Sequence, residues 1–185
     1  MKRIFIAIKV EAGDTLLKMI SALKSGLRND IINWTNPDNI HITLAFLGDT
    51  EEKMIKPVCS MLNELCTGSE KFELIIKGSG VFRSKRDPRI IWTGIEPSEK
   101  LVKLNQVIMN GLKELKIKME ERSFNPHLTI GRIKHLNDIE VLKSLTEQFN
   151  DSEIQKVKVN EVVLYESILH ASGPIYESLA KFKLD

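Results

Sequence analysis

Two short stretches of the chain alternate polar and apolar residues in the same frame. The first is His41-Ile42-Thr43-Leu44-Ala45-Phe46-Leu47-Gly48, and the second is Pro126-His127-Leu128-Thr129-Ile130-Gly131-Arg132. Successive side chains of a strand point to opposite faces. As strands, these stretches put His41 and Thr43 on one side, with Ile42, Leu44 and Phe46 behind them. His127 and Thr129 likewise share a side, with Leu128 and Ile130 behind. Burial of the apolar side pins the register, because a one-residue slip would turn the polar pair inward. Continued regularly, the alternation sends Arg132 away from His127; only a twist or an end of the strand at Gly131 brings it back.

The remaining pattern fills in around these two strands. Residues 3–10 alternate and are rich in Ile and Val, which predicts a strand. A helix over 15–27 follows, capped by Asp14, with Leu16, Leu17, Ile20 and Leu23 on one face and Gly26 near its end. Residues 34–39 carry turn chemistry. Thr50 is a candidate N-cap for a helix that reaches Cys66 and stops at Thr67-Gly68-Ser69. A strand covers 71–77, and the Gly- and Arg-rich segment 78–89 reads as a loop. A strand at 89–95 and a helix over 99–114 follow, the helix capped by Ser98 and lined by Leu101, Leu104, Ile108 and Leu112. After the second motif, Asn137 is positioned to cap a helix through 149. Strands are expected at 153–159, 161–168 and 174–184.

Written out, the chain repeats itself. Arg3 precedes His41 by 38 residues, and Arg89 precedes His127 by the same 38. Residues 3–80 and 89–167 form the expected repeat, with 174–184 completing a sheet. Such a repeat predicts a single bilobal domain of α+β class: two pseudo-symmetric lobes, each an antiparallel sheet with helices on its outer face, and an active cleft between them.

Composition narrows the class without naming a function. The 185 residues are 42% hydrophobic and 28% charged, with a formal net charge of +2. These are ordinary proportions for a globular chain. A nearly balanced charge does not announce a nucleic-acid binder, although Arg83, Lys85, Arg86 and Arg89 form a local basic run. No apolar run approaches the roughly 20 residues of a membrane helix, and the N-terminus alternates too early for a signal peptide. Cys59 and Cys66 fall seven residues apart in a helical pattern. That separation is roughly 10 Å along a helix, too far for a disulfide. A monomeric cytoplasmic protein with reduced thiols is expected.

Two histidines facing one another have a specific chemistry. Histidine titrates near pH 6.5, so one imidazole can be neutral while its partner is protonated. On opposite sides of a reacting centre they serve as general base and general acid. The hydroxyls of Thr43 and Thr129 can donate to the non-bridging oxygens of a phosphate, and Arg132 can add a cationic donor. No carboxylate cluster at metal-ligand spacing accompanies them, so the expectation is no metal and no cofactor. This set suits in-line opening of a strained cyclic phosphate. The symmetry leaves the donor and acceptor labels exchangeable. Phe46, Trp92, Phe124 and Tyr165 are candidates for stacking on a base, with core packing the competing reading for each. Arg86 is a candidate RNA contact. His135 and His170 lack the setting and read as surface residues.

The two motifs together resemble the signature pair of the 2H phosphoesterase superfamily, in particular its bacterial and archaeal RNA 2′,3′-cyclic phosphodiesterases, also called 2′–5′ RNA ligases. The resemblance extends to Arg3-Ile4-Phe5-Ile6-Ala7-Ile8, to Trp92-Thr93-Gly94-Ile95 and to the tail Gly173-Pro174-Ile175-Tyr176. It implies a bilobal fold and metal-independent hydrolysis of RNA 2′,3′-cyclic phosphate ends, tRNA fragments among them, to 2′-phosphates. It implies His41 as proton donor to the leaving 3′-oxygen and His127 as the base on water, with the roles exchanged in the reverse, ligating direction. A non-catalytic module that holds an RNA end, and a hydrolase of a small cyclic phosphate, are the competing functions.

Overall fold

The computed structural model describes residues 1–84, 87–119, 123–170 and 173–185. Among the described residues nine strands form one antiparallel sheet: β1 (Lys2–Lys9), β2 (Ile31–Trp34), β3 (His41–Thr50), β4 (Phe72–Ser84), β5 (Asp87–Ile95), β6 (His127–His135), β7 (Glu153–Val159), β8 (Glu161–His170) and β9 (Gly173–Lys183). The order across the sheet is β7-β4-β5-β6-β3-β1-β8-β9, with β2 added to β6. The sheet curls into a half-barrel. The two expected lobe sheets are thus continuous, joined where Ile42 pairs with Leu128.

Among the described residues four α-helices cover the outer face: α1 (Asp14–Gly26), α2 (Ile55–Thr67), α3 (Glu99–Glu114) and α4 (Ile139–Glu147). α2 and α3 pack on β3, β8 and β9, while α1 and α4 pack on β4 and β7. None of the described helices is long and apolar enough to cross a membrane. The core lies between sheet and helices. Ile42, Leu128 and Ile130 are fully buried there, against Leu101, Leu104, Ile108 and Leu112 of α3 and their neighbours. Each such side chain contributes about 1.5–3 kcal/mol by leaving water. Both cysteines lie on α2 as free thiols, and burial pushes that of Cys66 up to about 11.

Several local expectations are corrected by tertiary context. Asp14 is not the cap of α1: Gly13 is extended and takes that place, leaving Asp14 in the first turn, where its charge complements the helix dipole. On the same helix Met19 is buried, whereas Leu17 is 38% exposed. Thr50 does not cap α2. It ends β3 opposite Lys2, and a 3₁₀ turn at Glu52–Met54 intervenes before the helix. Asp138, not Asn137, caps α4, its carboxylate accepting from the Glu140 and Val141 amides. Asn137 instead bonds to Asn29 and Asp30.

The segment 78–89 is no loop in its described part. It continues β4 and opens β5, paired from Ile76↔Ile95 to Ser84↔Asp87. Gly78, at φ +73°, is the extra residue of a bulge rather than a chain break. The turn expected at 34–39 begins with an unforeseen strand, β2, too short for its alternation to be legible.

The feature that shapes the inner face is a bulge in each motif strand. Ala7 pairs with Thr43 and Ile6 with Ala45, so Leu44 is an extra residue of β3. Trp92 pairs with Thr129 and Ile91 with Gly131, so Ile130 is an extra residue of β6. A bulge leaves its extra residue outside the ladder. Both carbonyls find donors elsewhere: Asn105 Nδ2 donates to Leu44 O at 2.7 Å, and the Thr35 amide to Ile130 O at 2.8 Å. Asn105 is 8% exposed, so its removal strands a carbonyl away from water. Asn105→Ala is expected to cost about 1–3 kcal/mol in urea unfolding. A loss below about 0.5 kcal/mol would show that the bulge does not need this bond.

Candidate active site

Each motif histidine is oriented by the backbone two residues before it. His41 Nδ1 lies 2.6 Å from Asn39 O, and His127 Nδ1 lies 2.8 Å from Asn125 O. A carbonyl can only accept, so Nδ1 carries the hydrogen in both rings and Nε2 is the nitrogen left for chemistry. The sequence signal for this device was present in both copies, as Asn-x-His. Asn39 is itself anchored, its side chain donating to Pro174 O at 3.2 Å and its backbone ending the 3₁₀ turn Pro37–Asn39.

Aromatic rings hold the imidazoles from the sides. Phe5 lies 5.0 Å from His41, with Tyr176 edge-on to both, and Tyr165 stacks on Phe5. Phe82 meets His127 edge-on at 4.8 Å and stacks on Trp92.

His41, Thr43, His127, Thr129 and Arg132 all line one cleft of about 480 Å³ on the hollow face. Continuing the register about Ile42↔Leu128 by one residue sets His41 opposite Thr129 and Thr43 opposite His127. Arg132 joins them because the bulge at Ile130 reverses the alternation after Thr129. Gly131 permits that approach, since a Cβ there would meet Ile32 Cγ2 at 2.9 Å and Trp34 at 3.1 Å. The opposite wall and floor come from Asn33, Asn36, Asn39, Ile90 and the β9 residues Pro174, Ile175 and Tyr176. Strands through Ile90 and through Pro174–Tyr176 were expected, but none of these wall residues was singled out for the site; strand pairing brings them in.

The other candidates are placed as follows. Phe46, expected behind the motif in the core, is 47% exposed on the hollow face, because the bulge at Leu44 turns it over. Trp92 stacks on Phe82, and its Nε1 is buried without a partner among the described residues. Tyr165 stacks on Phe5 and does not line this cleft; with His41 and Tyr176 it lines a smaller cavity of about 190 Å³. Phe124 packs against the core and does not line the cleft. Arg86 lies outside the described residues. His135 and His170 are exposed, away from the cleft.

Burial pushes the His41 imidazole below its ordinary value. The charges of Arg132 and His127 act in the same direction, while the bond to Asn39 opposes them. His127 is lowered by burial and by Arg132, again against its carbonyl bond. Burial raises the Tyr176 phenol, which keeps its proton as a donor. Among the described residues no three His, Cys, Asp or Glu side chains converge as metal ligands. The arrangement therefore offers two Nε2 atoms for proton transfer, two hydroxyls and one guanidinium, all directed at one volume.

Residues 33–170 match the 2′-5′ RNA ligase superfamily. The RNA 2′,3′-cyclic phosphodiesterase of Thermotoga maritima is 35% identical over 179 residues, 96% of this chain and 92% of its own. The protein of the same name from Methanothermobacter thermautotrophicus is 31% identical over 184 residues, 98% of each chain. Among solved structures, a Thermus thermophilus protein shares the fold with a TM-score of 0.80, at 23% identity over 98% of this chain and 97% of its own. E. coli LigT complexed with 3′-AMP gives 0.75, at 19% identity over 99% and 98%.

In the unliganded protein both cleft imidazoles are expected to titrate below 6.5, measured by long-range ¹H–¹⁵N NMR. Arg132→Gln should move both upward, since a nearby cation disfavours imidazolium. Inorganic phosphate should do the same, and should bind more tightly as pH falls through that range. Values unmoved by Arg132→Gln would place its charge outside the site.

Proposed function

The chain belongs to the 2′-5′ RNA ligase superfamily, and on that premise we propose that it hydrolyses RNA 2′,3′-cyclic phosphate ends to 2′-phosphomonoesters by a two-histidine mechanism that needs no metal. The carrying observation is the matched pair of imidazoles, each locked through Nδ1 and each lining the same cleft as both threonines and Arg132.

The cyclic phosphate sits between the histidines. Thr43 and Thr129 donate to its non-bridging oxygens, and Arg132 offsets the charge that builds on them. His127 Nε2 takes a proton from water as the water oxygen attacks phosphorus. The bond to the 3′-oxygen breaks, and that oxygen takes a proton from His41 Nε2. The departing oxygen stays attached to the nucleoside, which needs room. The cleft offers that room beside Asn36, Asn39, Pro174 and Tyr176, on the flank of His41. This supports His41 as the acid.

The identical burial of residues 41–47 and 127–133, apart from Thr43 and Thr129, supports an internal repeat over 3–80 and 89–167 within one bilobal domain. One chain supplies every group named, which fits a monomer, and two unpaired thiols fit the cytoplasm.

The test is turnover of a 2′,3′-cyclic-ended oligonucleotide in EDTA, with ³¹P NMR to identify which hydroxyl keeps the phosphate. His41→Ala and His127→Ala should each lower kcat/KM by about 10²–10⁴-fold. The wild-type kcat/KM profile should be a bell with its optimum on the acid side of pH 6.5, because both free-enzyme imidazoles are lowered. Near-wild-type turnover by either alanine variant, or a 3′-phosphate product, would sink the reading.

A further inference from the structure

Phe46 and Arg132 stand at matching points, five residues past His41 and His127. Residues 42, 44, 45 and 47 are buried in β3, and 128, 130, 131 and 133 in β6. Each bulge returns the fifth residue to the hollow face. The strands run antiparallel about Ile42↔Leu128, so these fifth residues lie at opposite ends of the histidine row. The register puts Arg132 past Thr129, on the flank of His41, and its charge reaches His41, His127 and Tyr176. Phe46 is at the other end, past Thr43, on the flank of His127.

A second cation stands at that end. Arg3 lies two residues before Phe5 on β1 and shares its face, and Phe5 pairs with Phe46. The Arg3 guanidinium sits 4.8 Å from the centre of the Phe46 ring. Both residues are exposed, and Phe46 contributes nothing to the core. An exposed ring beside a guanidinium is a platform for a nucleobase with a phosphate next to it.

The direction of displacement says what that platform receives. With the cyclic nucleoside on the His41 flank, the nucleophile enters from the His127 flank. Resting on the hydrolase reading, we infer that Arg3 and Phe46 form an acceptor subsite, which seats the nucleoside of a 5′-hydroxyl RNA end where water otherwise enters. Phe46 stacks on the acceptor base, and Arg3 binds the phosphate on its 3′ side. The 5′-oxygen attacks phosphorus and gives its proton to His127 Nε2. The bond to the 3′-oxygen breaks, and that oxygen takes the proton of His41 Nε2. Cleavage of a 2′–5′ linkage is the reverse: the 3′-hydroxyl attacks, His41 takes its proton, and His127 protonates the departing 5′-oxygen. Water is neither consumed nor released, and no further reactant is needed.

The test compares three substrates: a 2′,3′-cyclic mononucleotide, a 2′–5′-linked dinucleotide, and the same dinucleotide with a 3′-terminal phosphate. Phe46→Leu should lower cleavage of both dinucleotides about tenfold relative to hydrolysis of the cyclic mononucleotide. Arg3→Gln should do so only for the dinucleotide carrying the 3′-phosphate. Equal loss on all three substrates, or no relative loss on any, overturns the subsite. So does a wild-type protein that hydrolyses the cyclic mononucleotide but cleaves neither dinucleotide. Wild-type failure on the cyclic mononucleotide itself would instead overturn the hydrolase reading, and the subsite with it.

Discussion

A β-bulge directly after each motif threonine is the constraint on which the cleft depends. In a regular strand the side chains at 46 and 132 would enter the helix-covered core. Burying a guanidinium there without a partner is prohibitive. The extra residues Leu44 and Ile130 reverse the alternation, so apolar neighbours stay inside while Phe46 and Arg132 come out. Each bulge frees a carbonyl that must be satisfied. One is met by a side chain of α3 and the other by the backbone beyond β2. The helix layer and the added strand are therefore part of the site's geometry, although neither supplies a proton-transfer group.

The histidines show a second compromise. Locking Nδ1 on a carbonyl fixes the tautomer and aims Nε2, and it also favours the protonated ring. Burial and Arg132 push the other way and prevail in both rings. Both shifts disfavour imidazolium, whereas an acid–base pair requires one ring to hold a proton. An anionic phosphate between them offsets Arg132 and stabilises imidazolium. On the proposed reading, the guanidinium that binds phosphate is the same one whose charge acts on both imidazoles.

The sheet is assembled from both halves of the chain in alternation. β4, β5 and β7 flank β6, while β1, β8 and β9 flank β3. The motif strands meet at a single described pair, Ile42↔Leu128. That is enough to place two residues 86 apart in sequence on one row, because each strand is held on its other side by an extensive ladder.

Much of this was legible in the residues, for reasons that are local. Alternation over 41–44 and 127–130 set which side chains share a face, because period 2 and a buried side leave one register. Helix α3 was readable from Ser98 and its Leu/Ile spacing for the same reason. What exceeded the sequence was non-local. Asp14, Thr50 and Asn137 are all good cap residues, and which residue caps depends on where neighbouring strands and loops end. Gly78 looked like a break because a glycine at positive φ serves a turn and a bulge alike. Phe46 and Arg132 were assigned by an alternation that the bulges interrupt, and a bulge is decided by pairing with β1 and β5 and by distant donors. The sequence by itself determined the two His-x-Thr faces and, with them, which residues are candidates for proton transfer. Only the tertiary structure decided that they share one cleft, that Arg132 joins it and that Phe46 leaves the core, because strand pairing and the satisfaction of freed carbonyls depend on residues far along the chain.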